Sequence, residues 1–246
     1  MYHKEVLDNG VRIVSEEIPY VRSVALGIWV GVGSRDETEE EHGISHFLEH
    51  LMFKGTEKRT AKEIAEALDT VGGQLNAFTT KEYTCYYAKV LDENIDLAID
   101  VLSDMFFNSK FAEKDIEKEK KVVLEEIKMY EDSPDELVHD LFATNVWAKH
   151  TLGKPILGTA DSVAGLNQGK VRNFYKKHYT TPNIVIAVAG KIKHGEIVNK
   201  LAPLFAGIKD KAVEKDTALP APHQGVFCTQ KSTEQLQLCI GVPGLP

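Results

Sequence analysis

Three cysteines, Cys85, Cys228 and Cys239, are too few and too scattered for a disulfide framework or a paired-cysteine metal site. Reduced, mostly buried thiols are expected instead. No apolar run approaches the roughly 18 residues that a membrane-spanning helix needs. The opening MYHKEVLDNG also lacks the apolar stretch of a secretory leader. A cytoplasmic location with no membrane partner is the resulting expectation. Basic residues are in the minority, 29 Lys and Arg against 37 Asp and Glu, which leaves a formal charge of −8. That balance disfavours a nucleic-acid backbone as partner. It mildly favours basic substrates, although surface acidity also serves solubility.

What remains is an ordinary globular composition, 43% hydrophobic and 27% charged over 246 residues. Such a length suits one large domain, or one domain with part of another. Asp8-Asn9-Gly10 predicts a hairpin turn between strands at 5–7 and 11–15. Val24 to Val32, apolar and β-branched and closed by glycines, reads as a central strand. Thr60 and Glu63 form a capping-box signature for a helix whose apolar stripe is Ile64, Ala67, Leu68 and Val71, stopped by Gly72-Gly73. Residues 74–79 and 83–90 read as paired strands. Asp92 opens a further helix, and residues 113–130 form a long one. Pro134 starts another that runs towards Trp147. Helical 170–177, a buried strand at 183–189 and helical 197–205 follow.

Helices and strands in mixed order, with a hairpin and no regular βα alternation, indicate an α+β fold: a largely antiparallel sheet with helices packed on one face. Residues 207–223 read as a linker between a domain at 1–206 and strands at 226–229 and 236–242, within a segment spanning 224–246. The closing CIGVPGLP faintly echoes the earlier IWVGVG, as if a second copy of the sheet were beginning. The chain is therefore expected to be the first half of a larger protein or assembly.

The chemistry concentrates in HFLEH, which holds His46, Glu49 and His50. On a helix, residues four apart differ by about 40° in direction. His46 and His50 would share one face and can both ligate a single Zn²⁺. Glu49 lies on the flank, where a carboxylate can take a proton from a water at the site and return it to a leaving amine. This is HExxH in reverse order, the HxxEH signature of inverzincins. A catalytic zinc needs a third protein ligand. Glu119 and Glu126, seven apart, share a face of the long helix within about 20°. Glu126 sits in the apolar run VVLEEIKMY, where a buried carboxylate would need a partner; solvation of both Glu125 and Glu126 among nearby lysines is the alternative.

Three separated segments, GISHFLEHLMFKGT, GGQLNAFTTKEYTCYY and VVLEEIKMYEDSPDE, together resemble the pitrilysin-type (M16) zinc peptidases. Within that family the likeness is to bacterial relatives of the mitochondrial processing peptidase β subunit. YTTPNIVIAVAG resembles the end of the family's first half. The resemblance implies that His46, His50 and Glu126 hold zinc, that Glu49 is the general base and that Glu119 supports catalysis. It implies that Asn76, Ala77 and Phe78 form an edge strand that pairs with an extended peptide substrate. Glu136 and Asp140 resemble an acidic pair that engages an arginine near the cleavage site, and their four-residue spacing suits one guanidinium.

The family also has a second homologous half, which closes over the peptide and of which residues 224–246 are expected to hold only the first strands. The expected function is thus a zinc-dependent endopeptidase of the processing-peptidase type, acting on peptides or presequences through a metal-activated water and needing that second half. The expected partners are the peptide, a second half-domain or subunit, and a second copy of the chain as a homodimer. The alternative is a non-catalytic, zinc-binding partner subunit of a two-part peptidase. A non-peptidase HxxEH enzyme with a cysteine ligand would have to draw on Cys85, and it leaves the NAFT and VVLEEI segments without a role.

Overall fold

The computed structural model describes residues 2–208, 220–232 and 234–244. Its strands are β1 (Tyr2–Val6), β2 (Arg12–Glu17), β3 (Ser23–Val30), β4 (Gln74–Thr79), β5 (Thr84–Leu91) and β6 (Ile184–Gly190). They form one sheet in the order β1-β2-β6-β3-β5-β4. Every neighbouring pair is antiparallel except β2 with β6. The sheet is therefore largely antiparallel, as expected. The parallel pair arises because β6 returns from a long helical excursion to slot between β2 and β3.

Period-two alternation sets the inner face. Val24, Leu26, Ile28 and Val30 of β3 are buried, as are Ile184, Ile186 and Val188 of β6. Burying one such aliphatic side chain is worth about 1.5–3 kcal/mol. A register slip of one residue would turn all of them outward, so hydrophobicity pins the register. On the other face the same strands carry the exposed Ala25 and the half-buried Trp29, Val185 and Ala187.

The helices cover the inner face. They are α1 (Ile44–Met52), α2 (Ala61–Asp69), α3 (Ile95–Asn108), α4 (Glu113–Asp132), α5 (Pro134–Val146), α6 (Ala160–Ala164), α7 (Gln168–His178) and α8 (His194–Phe205). A single core joins Phe47, Leu48 and Leu51 of α1 to Ala98, Leu102 and Met105 of α3, Val171 and Phe174 of α7, and Leu201 of α8. The capping box at α2 forms as read. The Thr60 side chain accepts from the Glu63 amide, and the Thr60 amide donates to Glu63 Oε2 at 2.7 Å. α5 differs from the rest in having no fully buried residue. No helix among the described residues is long and apolar enough to cross a membrane.

Two expectations need adjustment. The linker read at 207–223 lies mostly at 209–219, outside the described residues. Residues 226–229 and 236–242, read as strands, have no regular secondary structure. Their apolar side chains are exposed, Val226 at 99% and Leu236, Leu238, Ile240 and Val242 at 86%, 73%, 79% and 83%. Their alternation favours a strand, but a strand forms only against a neighbour that accepts its ladder.

Candidate metal centre

α1 is positioned before it contributes any chemistry. Its N-cap, Gly43, adopts φ +89°, and a Cβ there would lie 2.6 Å from the Leu157 carbonyl oxygen. Only glycine suits such a left-handed, crowded position. Glu37, buried in the preceding loop, accepts from the Gly43 and Ser45 amides at 2.8 Å each, one per carboxylate oxygen. It thereby satisfies two amides that the helix start leaves unpaired. Burial pushes the Glu37 carboxyl up to about 7, against the pull of those same hydrogen bonds.

The helix then presents its two histidines to each other, with His46 Nε2 3.1 Å from His50 Nε2. Glu126, arriving on α4, places Oε2 at 3.8 Å from His46 Nε2 and 3.7 Å from His50 Nε2. These three side chains form a group compatible with a metal ion. Zn–N and Zn–O distances near 2.0–2.1 Å put tetrahedral ligand atoms about 3.3–3.4 Å apart. The observed triangle brackets that spacing. Glu126 Oε2 is buried and makes no hydrogen bond. A buried carboxylate oxygen without a donor is costly, and a divalent cation between it and the two nitrogens removes the deficit. The residues fit zinc. The neighbouring Glu125 is instead paired with Lys128 at 2.6 Å on the solvent side.

Electrostatics treats the two imidazoles differently, favouring the neutral form of His46 and the protonated form of His50. Burial first, and the adjacent His50 second, hold His46 neutral down to about 3. For His50, burial is outweighed by the hydrogen bond to Glu119 and by the charges of Glu126, Glu119 and Glu49, so the net effect raises its pKa. His50 Nδ1 lies 2.7 Å from Glu119 Oε1. A proton on Nδ1 facing that carboxylate leaves Nε2 free to ligate. Burial would raise Glu119, but its hydrogen bonds to His50 and Lys54 prevail and lower it. Glu126 is raised by burial, with the Glu119 charge adding and His50 opposing.

Glu49 is raised by burial, partly offset by the Thr79 hydroxyl, which donates to its Oε2 at 2.5 Å. Thr79 ends β4, so this bond ties the candidate base to a sheet edge. Among the described residues β4 pairs only with β5, and its other side is open within the sheet order. Asn76 and Phe78 are exposed while Leu75, Ala77 and Thr79 are half-buried. The Ala77 amide donates to its neighbour's side chain, Asn76 Oδ1, at 2.8 Å.

Glu136 and Asp140 both lie on α5, but in different surroundings. Glu136 is exposed and Asp140 half-buried. Burial raises Asp140, with the charges of Lys81 and His139 opposing. Asp140 thus already has a cation nearby from its own chain. Glu37, Lys54 and Thr79 were not singled out by the sequence. Glu37 shows only the weak signal of an acidic residue ahead of a helix start.

The fold and this centre define a class: an α+β unit that carries a candidate metal site of two histidines and one carboxylate on adjacent helices. The family profile described as Insulinase (Peptidase family M16) matches residues 12–160, and that described as Peptidase M16 inactive domain matches 165–246. The chain belongs to peptidase family M16. It is 50% identical over 245 residues to the uncharacterized zinc protease YmxG of Bacillus subtilis, covering 100% of this chain and 60% of that protein. It is 46% identical over 252 residues to an uncharacterized zinc protease of Streptomyces coelicolor, covering 98% of this chain and 54% of that protein. The crystal structure of a protease from Helicobacter pylori superposes with a TM-score of 0.81 at 24% identity, over 91% of this chain and 53% of that one. At that identity the likeness concerns the fold. The chain spans little more than half the length of these relatives.

Proposed function

We propose that this chain is the metal-bearing part of a zinc-dependent endopeptidase that cuts extended peptides, with His46, His50 and Glu126 as zinc ligands. One observation carries the reading: two imidazole nitrogens 3.1 Å apart face a buried carboxylate oxygen that has no hydrogen-bond donor. Zinc bound there supplies a Lewis acid that polarises a carbonyl and makes water more acidic. Zinc-protease names among the relatives support the same metal.

The protein side of the chemistry follows from position. Glu49 Oε2 is occupied by the Thr79 hydroxyl, which leaves Oε1 to take a proton and later return it to the departing amine. Burial raises Glu49, and that brings a carboxylate closer to the pH range in which transfer in both directions is efficient. The open edge of β4, with Asn76, Ala77 and Phe78, offers main-chain groups to an extended peptide. A substrate carbonyl there would displace Asn76 Oδ1 from the Ala77 amide. That contact meanwhile shields one donor of an exposed edge. Glu136, on the surface, is the better placed of the two α5 acids for a basic substrate residue.

The remaining length of the relatives supports a second half that encloses the peptide, and full activity is assigned to the two parts together. The test is Glu49→Gln. It retains zinc and peptide binding and abolishes cleavage of a quenched-fluorescence peptide, with or without a separately produced second half. Wild-type cleavage by that variant would remove Glu49 from its role. The alternative, a non-catalytic zinc-binding subunit, predicts no cleavage by the wild type in either setting.

A further inference from the structure

We infer that Lys54 is a positioning residue for the metal centre: with His50, one helical turn earlier, it clamps the two oxygens of Glu119, which fixes the His50 ring and the placement of α4 beside α1. This rests on the zinc reading of His46, His50 and Glu126. Glu119 Oε1 lies 2.7 Å from His50 Nδ1, and Oε2 lies 2.7 Å from Lys54 Nζ. Each oxygen of this carboxylate therefore has one partner, and both partners come from the α1 segment. Lys54 stands just past the C-terminal end of α1, where its amide donates to the Leu51 carbonyl at 3.1 Å.

Burial makes the clamp consequential. The Glu119 side chain is only 4% exposed, whereas that of Lys54 is 37% exposed. Without the ammonium, Oε2 would be a buried anionic oxygen with no donor, and such a group rotates or draws in water to find one. Either movement takes Oε1 off His50 Nδ1 and frees the imidazole to turn Nε2 away from the metal position. The same carboxylate also sets α4 against α1, and Glu126 lies two turns further along α4. One lysine thus bears on two of the three ligands without touching the metal position. Outer partners of this kind change metal affinity by about 10–100-fold. An ordinary exposed ion pair has no such reach.

The experiment uses the full chain as wild type, Lys54→Met and Lys54→Arg. Zinc affinity is read by competition with a chromogenic chelator, and the His50 tautomer by long-range ¹H–¹⁵N correlation in metal-free samples. The expected result is a loss of about 10–100-fold in zinc affinity for Lys54→Met, recovery in Lys54→Arg, and loss of the Nδ1–H form of His50 in the methionine variant alone. Equal zinc affinity and an unchanged tautomer in Lys54→Met would overturn the inference and leave the zinc reading intact. Absence of zinc binding in the wild type would overturn both. Should Lys54→Met fail to fold, Lys54→Ala, which likewise offers Glu119 no side-chain donor, carries the test with the same outcomes.

Discussion

Replacing Glu37 with glutamine isolates the electrostatic cost of anchoring α1. Glu37 is 3% exposed and accepts two backbone amides, yet burial moves its carboxyl from 4.5 to about 7. A folded-state pKa above the unfolded one means that the stabilising contribution is complete below about pH 4.5 and is lost as pH rises through about 7. About 1.4 kcal/mol per pH unit over that window gives a loss of about 3 kcal/mol. Glutamine cannot ionise. Its amide group also faces one of the two N–H donors, at a constant cost of about 1–3 kcal/mol. The informative quantity is therefore the stability difference between Glu37→Gln and wild type as a function of pH. Titrations of Glu49 and Glu126 occur in both proteins and cancel in it. Urea unfolding followed by tryptophan fluorescence in excess chelator should show the variant gaining about 3 kcal/mol on the wild type between about pH 4.5 and 7.5. A difference constant to within about 0.5 kcal/mol across that range would refute the assigned burial penalty.

Gly43→Ala forces a side chain into a left-handed residue and towards the Leu157 carbonyl. It should cost about 2–5 kcal/mol, the sum of about 1–2 for the backbone and 1–3 for the overlap, as measured by urea unfolding. A stability within about 0.5 kcal/mol of wild type would contradict that geometry. Thr79→Val removes the hydrogen bond that holds Glu49 down, so Glu49 should titrate higher. In the complete enzyme the acidic limb of kcat/KM should then move to higher pH, and an unmoved limb would dissociate Thr79 from the base. Glu136→Ala should raise KM for peptides with a basic residue near the cleavage site and leave neutral peptides unaffected. Equal effects on both would remove Glu136 from recognition.

The features legible in the sequence were the local ones. Asn9-Gly10, the Thr60 capping box and the four-residue spacing of His46 and His50 each follow from chain geometry over a turn or two, and each appears in the structure. The choice between Glu125 and Glu126 was not local. One residue on a helix is about 100° of rotation, and only the packing of α4 on α1 turns Glu126 inward and leaves Glu125 to Lys128. Thr79, Glu37 and Lys54 escaped notice for the same reason. Their partners are 30, 6–8 and 65 residues away in the chain, across a strand, a loop and a helix. The parallel pairing of β2 with β6 depends likewise on distant segments. Residues 236–242 have the alternation of a strand but no paired strand among the described residues, so the pattern stated a preference that the surroundings do not fulfil. Asp140 looked available to an arginine until Lys81, from the loop after β4, was placed near it.

Zinc stoichiometry and affinity measured on the wild-type chain, Glu126→Gln and Glu125→Gln address the centre most directly. The account predicts one zinc per wild-type chain, tight binding retained in Glu125→Gln, and affinity reduced by at least about 100-fold in Glu126→Gln, where one of three protein ligands is gone. A wild-type chain that binds no zinc, or a loss confined to Glu125→Gln, would contradict it.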